Sequence, residues 1–489
     1  FLTRLRPKFS SVNMPECGSI VDGVVRYPLS GINVVIVGAG LGGLQAAVEC
    51  WRKGHEVQVL EKGEAISEAG DVIRLGPNSY ATLKEYPTML QEWDQSAFDV
   101  ETCFCHRDGK FAIPKAEFEH HLPGVATHVI WPIRAKPIAS RRDLALMFLG
   151  QCKRLGIPVT YGVNITQYSE DGKGTATAHA EDGRTFTGDV VIAADGIGSK
   201  SCGVTLGKPV RAVSTGYCAD RVIYSTDHIK DAPALQKAIA ELERSQLRMC
   251  TAPDMYIVFL LSKTHIFLGI THRDYGTAVE SWSSTVTPEQ TADVIPDKEG
   301  WDAVLMEAIH STPPKTVVRW KLCCRNPQPK WHSDGGHIIQ VGDAAHSFIP
   351  SSGNGASMSL PECLRLGGKD RIALAVRVHQ LLRYERTSLL QHNGFVNRRQ
   401  VHRDMNEILK DERQPMLLGK WVWTHHAEKY VTENFENACL AVEGGKPFKN
   451  TNLPVGHQVQ PWSIEEEEEK EKSGIFVEDL KNTGDRGLF

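Results

Sequence analysis

An apolar, β-branched run, Val34-Val35-Ile36-Val37, leads straight into Gly38-Ala39-Gly40-Leu41-Gly42-Gly43. The run reads as a buried parallel strand. Gly38 permits a tight turn, Gly40 lets the backbone approach a pyrophosphate, and Gly43 lets the next helix lie close to the strand. That helix is predicted to run through Leu44, Ala46, Ala47, Val48 and Trp51, with Gly54 suited to its C-terminal cap. Its N-terminus offers unbonded N–H groups and a positive dipole end to phosphate. A second strand, Val57-Gln58-Val59-Leu60, ends in Glu61. An acid about 20 residues after the glycines can accept both ribose hydroxyls. A glycine-rich turn alone is weak evidence. Strand, helix, strand and acid in this order specify a dinucleotide-binding α/β unit.

Two further motifs narrow the choice. In Gly188-Asp189-Val190-Val191-Ile192-Ala193-Ala194-Asp195-Gly196 an apolar strand ends in Asp-Gly. Far down the chain, His337-Ile338-Ile339-Gln340-Val341 leads into Gly342-Asp343-Ala344-Ala345-His346-Ser347. Asp343 thus ends a buried strand, where a short acceptor-only side chain can take hydrogen bonds from a sugar-alcohol chain. Gly353, Asn354, Gly355 and Ala356 follow as a glycine-bearing helix start, whose dipole would face an electron-rich edge of a cofactor.

The three motifs together resemble the single-component aromatic flavin monooxygenases related to para-hydroxybenzoate and salicylate hydroxylases, over residues 31–410. The resemblance implies FAD as cofactor, with NADPH or NADH as a transient co-substrate; no second glycine fingerprint is evident for the nicotinamide. It implies transfer of one oxygen atom from O₂, through a flavin C4a-hydroperoxide, to an electron-rich aromatic or alkene small molecule. The tail around Asn450–Trp462 resembles members of fungal secondary metabolism, so polyketide- or alkaloid-like substrates are implied. By the same resemblance Asp195 lies near the cofactor, the alternative being an ordinary turn aspartate. Arg142, at the head of Arg141-Arg142-Asp143-Leu144-Ala145, takes the place of a cofactor-contacting arginine; Arg141 is the alternative register, and a surface arginine the plain reading. Arg74, in Asp71-Val72-Ile73-Arg74-Leu75, matches a segment beside the flavin. Arg221 matches an arginine placed over the flavin, able to hold a phenolate in its electron-rich form; a structural ion pair is the competing reading. Tyr256 could hydrogen-bond substrate or be a core tyrosine.

The expected architecture is α/β: a discontinuous Rossmann-like FAD domain, a second sheet-based substrate domain and a helical C-terminal region. Boundaries are expected at 31–205 and 321–400 for the FAD domain, 206–320 for the substrate domain, and 401–489 for the helical region and polar tail. A net charge of −4 favours neither nucleic acid nor an anionic membrane surface. No apolar run is long enough to span a membrane, and the basic stretch at 1–9 is too short and polar for a secretory signal. Twelve scattered cysteines show no zinc or redox spacing, which suits a cytoplasmic setting, and no metal site is expected. Trp421-Val422-Trp423 is similar to a flavin-halogenase segment but lacks its Ile-Pro, and is expected to be helix packing.

Three places depart from the ordinary pattern. Pro361 falls where a long helix should continue, so that helix is expected to be about two turns short and FAD retention is put in question. The position after Ser199 is Lys200 where an arginine is usual. The run Glu465–Glu469 is expected to be a solvated face or disordered tail. Two rival readings stay open: an FAD oxidase or dehydrogenase, and a catalytically impaired relative.

Overall fold

A computed structural model describes residues 18–66, 71–115, 136–281, 283–350, 359–410 and 420–475. Its first layer is a five-stranded parallel sheet in the order Ile338–Gln340, Val190–Ala193, Asn33–Val37, Glu56–Leu60 and Val159–Thr160. The strand before Asp343 therefore returns to lie beside the strand before Asp195. That strand in turn lies beside the one before Gly38. Each of these strands is buried on both faces, which is why Val34–Val37 is apolar without alternation. Val34, Ile36, Val190, Ile192 and Ile339 pack towards the helices Leu41–Arg52, Arg141–Arg154 and Leu360–Gly367. Val35, Val37, Val191 and Ile338 pack against a small antiparallel sheet of Ile165–Glu170, Ala176–Ala180 and Thr185–Gly188.

The second layer is a seven-stranded sheet in the order Thr285–Val286, Val317–Cys324, Val213–Ser225, His265–Arg273, Met255–Leu261, Ser245–Ala252 and Val100–Cys105. Its edge strand Val100–Cys105 runs parallel to Ser245–Ala252 and comes from within the span 31–205. The chain thus visits this sheet once before its main passage through it. Helices Pro233–Ala240 and Ala303–His310 cover one face with Leu235, Leu305 and Ile309 over Ile257, Phe259 and Ile270.

Cross-strand register defines the opposite face. Arg221 stands opposite Gly269, Gly269 opposite Val258, and Thr271 opposite Tyr256. Residues opposite each other or two apart share a face, so Arg221, Tyr256, Val258, Gly269 and Thr271 all lie on it.

The long helix Ile372–Val401 runs through the C-terminal part and carries Ala427–Val442 and Ile464–Lys472 on its flanks. One expectation fails here and another holds in part. Pro361 does not break a helix interior: it sits in the first turn of Leu360–Gly367, where a missing N–H costs nothing. The glutamate run is not a disordered tail; Glu465, Glu466 and Glu469 are solvated as expected, while Glu467 turns inward. The run forms the helix Ile464–Lys472, opened by a Ser463/Glu466 capping box. Glu467 is fully buried against Arg399 and takes Lys470 at 2.6 Å, while Glu471 takes Arg398 at 2.5 Å and the Tyr217 hydroxyl at 2.8 Å. The acid run supplies counter-charges to arginines of the long helix. Among the described residues no helix is long and apolar enough to cross a membrane.

Candidate active site

The first half of the site is the glycine turn. Gly38 has φ +105°, and a Cβ there would lie 2.4 Å from the Ala194 carbonyl oxygen. A Cβ on Gly43 would lie 1.9 Å from the Gly38 oxygen. Both glycines are required by close backbone approach. Gly40 is different: a Cβ there would meet nothing within 4 Å, so the turn keeps an open face. Gly40 also precedes the helix Leu41–Arg52 with no side chain capping it, which leaves N–H groups available to phosphate. The Glu61 carboxylate is pinned at the end of its strand, accepting from Ala39 N at 2.7 Å and from Gly63 N at 2.8 Å. Gly42 lies 3.8 Å, measured from an added Cβ, from the Gly342 Cα. The first and third motifs therefore meet.

Asp195 follows the neighbouring strand. Its Oδ2 accepts from the Tyr168 hydroxyl at 2.7 Å, whereas Oδ1 is buried with no hydrogen-bond partner. A buried, unsatisfied carboxylate oxygen is costly unless a donor arrives. Asp343 lies in the turn Gly342–Ala344, entered through Gly342 at φ +58°. Its residue is exposed, yet protein surrounds it closely enough that burial pushes its carboxyl up, against Arg325 and Arg141. An orphaned acceptor, an open glycine turn and an accessible acid suit a dinucleotide carrying a polyol chain. Asp195 and Asp343 would hold its hydroxyls and Gly40 its phosphates.

Arg325 was not foreseen. It donates to the Asp343 carbonyl at 2.6 Å, to the Ala344 carbonyl at 2.8 Å and to Cys202 Sγ at 3.0 Å, bracing the third motif against the segment after the second. It belongs to no motif; its position just beyond the strand Val317–Cys324 is its only sequence signal.

The two adjacent arginines diverge. Arg142 is 42% exposed beside Asp143 at 3.7 Å. Arg141 is more enclosed: burial lowers its guanidinium's proton affinity, while Asp71 and Asp343 raise it. Its backbone N–H also donates to the Asp71 carbonyl at 2.8 Å. Arg74 ends the short strand Val72–Arg74 opposite Ile138, half buried.

Arg221 reaches from the sheet face to the FAD layer, donating through Nη1 to Asp71 Oδ2 at 2.6 Å. Asp71 was likewise not singled out in sequence. Tyr256 is buried on the same face; burial pushes its hydroxyl up, while a hydrogen bond with Thr271 opposes this. The His402 ring lies 5.5 Å from Tyr256 and 4.5 Å from Tyr217. Gly353, Asn354, Gly355 and Ala356 lie outside the described residues.

Among the described residues, one group could geometrically hold a cation: ligand atoms of Asp254, His402 and Glu471 lie within 4.8 Å of one another. Both carboxylates are already matched by guanidinium groups, Arg273 at 2.8 Å and Arg398 at 2.5 Å. That balance removes the charge a divalent ion needs.

Fold and site together define a flavin-dependent oxidoreductase of the two-sheet type. The FAD binding domain family matches residues 33–71. The FAD-dependent monooxygenase fsr3 of Gibberella fujikuroi is 34% identical over 94% of this chain and 90% of its own. Notoamide E oxidase notB of an Aspergillus species is 30% identical over 87% of this chain and 93% of its own. Among solved structures, CtdE in complex with FAD and a substrate superposes with a TM-score of 0.76 at 24% identity, over 84% of this chain and 100% of that one. The chain belongs to the FAD-dependent monooxygenase family.

Proposed function

We propose that this protein uses FAD, NAD(P)H and O₂ to place one oxygen atom on an electron-rich aromatic ring or alkene of a polyketide- or alkaloid-like small molecule. FAD, when bound, supplies the activation of O₂; the chain supplies binding, orientation and exclusion of water. The observation that carries the reading is the Arg221–Asp71 pair, on the sheet face that also bears Tyr256, directed at the layer holding Asp343. Arg221 donates to a phenolate or enolate oxygen of the substrate, keeping the ring electron-rich. Asp71 holds the guanidinium in place until the substrate oxygen arrives. The Tyr256 hydroxyl, kept protonated by burial, offers a second donor. Gly269 beside Arg221 lets the Phe267 ring lie over its Cα, and Val258 and Phe267 keep the surroundings apolar.

Buried free thiols at Cys50, Cys202 and Cys363, and a need for NAD(P)H, support a cytoplasmic setting. Kinship with an oxidase favours a second reading, substrate oxidation without oxygen insertion. Turnover under ¹⁸O₂ with NADPH separates the two: one labelled atom in the product supports the monooxygenase. Unlabelled oxidised product with hydrogen peroxide supports the oxidase. Arg221→Ala should lose product while keeping the flavin absorption; full activity would remove Arg221 from the mechanism. A protein that takes up no FAD would instead favour an impaired relative, as the short helix at Pro361 first suggested.

A further inference from the structure

The sheet face that carries Arg221 has a second polar end. Tyr217, Ala219 and Arg221 alternate onto this face along one strand, and Tyr217 stands four residues from Arg221, about 13 Å away in extended chain. At the Tyr217 end the long helix comes down on the sheet. The Asp254 N–H donates to the His402 carbonyl at 3.2 Å. The His402 ring lies 4.5 Å from the Tyr217 ring and 5.5 Å from the Tyr256 ring. Arg398, one turn earlier on the same side of the helix, sets its guanidinium 5.0 Å from the Tyr217 ring centre. Its Nη2 donates to Glu471 at 2.5 Å.

These two side chains are enclosed and under-bonded. His402 is 6% exposed and Arg398 3%. Neither ring nitrogen of His402 has a hydrogen-bond partner, and neither Nε nor Nη1 of Arg398 has one. His402 Nδ1 stands 3.9 Å from Glu471 Oε1, beyond hydrogen-bond reach. The Tyr217 hydroxyl is already committed, to Asp254 at 3.0 Å and Glu471 at 2.8 Å. Burial, helped by the Arg398 and Arg273 charges, keeps the imidazole neutral. A neutral imidazole offers one donor and one acceptor, to which Arg398 adds two donors. Buried groups left in this state are costly until a partner arrives. The Arg398 charge is already met by Glu471, so the missing partner need carry no charge. A carboxylate has no proton for the imidazole acceptor. A hydroxyl group can donate to that nitrogen and accept from the guanidinium together. We propose that His402 and Arg398 form a second anchor of the substrate site, binding a ring hydroxyl at the end of the face away from Arg221, so that the substrate is an aromatic compound with an oxygen function at each end. The proposal rests on the reading that substrate lies on this face, and not on which oxidation follows.

The test is isothermal titration calorimetry of the FAD-loaded full chain, without NADPH, using 2,6-dihydroxynaphthalene and 2-naphthol as probes. The diol should bind about tenfold more tightly than the mono-ol, the scale of one hydrogen bond made to a buried group otherwise unpaired. His402→Phe, which keeps a ring against Tyr217 and Tyr256 but removes both nitrogens, should bring the diol to the affinity of the mono-ol. His402→Gln, which restores a donor and an acceptor, should recover part of the preference. In the absence of probe, His402→Phe should melt no lower than the parent, since it removes two unbonded nitrogens. A parent with no preference for the diol, including one that binds neither probe, would overturn the anchor and leave these nitrogens to buried water. An undiminished preference in His402→Phe would overturn it too. Because no turnover is read, failure to transfer oxygen from ¹⁸O₂ would sink the monooxygenase reading and leave this result standing.

Discussion

Glu428 stands in the first turn of the helix Ala427–Val442 and receives two cations from the end of the phosphate-facing helix. Arg52 Nη2 donates to it at 2.5 Å, and Lys53 donates to its other oxygen. Both cations are nearly inaccessible, 5% and 1% exposed, while Glu428 is 30% exposed. The two cations overcome the cost of burial and hold the Glu428 carboxyl down to about 2. The ordinary value lies near 4.3, and each tenfold change in acidity is about 1.4 kcal/mol, so the difference corresponds to about 3 kcal/mol. Solvent screening of the exposed part reduces this to about 2 kcal/mol. Removing the acid does not strand either cation completely, since Glu49 still takes Arg52 at 2.9 Å and Glu362 still takes Lys53 at 2.7 Å. Because the folded-state value is depressed, the contribution is complete above the ordinary glutamate range and is lost as pH falls from there towards 2. The Glu428→Gln variant should therefore lose about 2 kcal/mol at pH 7, a fall in Tm of about 2 °C for a chain of this size. At pH 3 the difference from the parent should shrink to roughly half. Paired melts by scanning fluorimetry at the two pH values decide it. A loss that is equal at pH 7 and pH 3, or absent at pH 7, refutes the ion-pair reasoning.

Three further outcomes follow from the site. Gly43→Ala places a Cβ against the Gly38 carbonyl and should prevent FAD uptake, read as loss of flavin absorption after desalting; a yellow, fully loaded variant would count against the glycine turn. Arg325→Met removes two hydrogen bonds to the Asp343 turn and should weaken FAD binding at least about tenfold, since bonds to charged groups contribute about 1.5–3 kcal/mol. An unchanged Kd by flavin fluorescence would show that the turn holds itself. Asp71→Asn should lower kcat about tenfold or more without releasing FAD, because Arg221 loses its charged partner; unchanged turnover would detach Asp71 from catalysis.

The nucleotide-binding half was readable because its signals are local. A β-branched run, glycines at fixed spacing and an acid at a strand end each report on a few neighbouring residues, and the sheet brings them to one edge. The return of Ile338–Gln340 to that sheet was legible for the same reason: Asp343 ends its strand as Asp195 ends its own. What escaped depended on partners remote in sequence. Val100–Cys105 looks like any short strand, and only parallel pairing with Ser245–Ala252 assigns it to the second sheet. The glutamates of Ile464–Lys472 read as solvated until Arg398 and Arg399 are seen to need them. Arg325 carries no motif, and Asp71 stands in the Arg74 segment without being marked out there; each matters through contacts with chain segments far away. Pro361 misled because a proline is read against the helix around it, and the helix here begins at Leu360.

The charges at the seam between the two layers alternate, and the alternation has consequences for how a substrate can bind. Arg221 is paired to Asp71, and Arg141 feels both Asp71 and Asp343 as favourable and Arg221 as unfavourable. Asp71 already holds the Arg221 donor, so a neutral phenol entering beside Arg221 meets a guanidinium that is paired. Ionisation becomes favourable only if the phenolate takes over the Arg221 donor that Asp71 now holds, and Asp71 then leans on Arg141 instead. Under the proposed function, substrate binding and the Asp343 turn would be joined through Arg141, whose charge both Asp71 and Asp343 favour. Removing that arginine should therefore be felt at both ends. Arg141→Met should raise the KM for an acidic phenol and also weaken FAD binding, whereas Arg142→Met, altering an exposed side chain beside Asp143, should do neither. If Arg142→Met released the cofactor and Arg141→Met did not, the register of the helix head would be the reverse of the one the electrostatics favour.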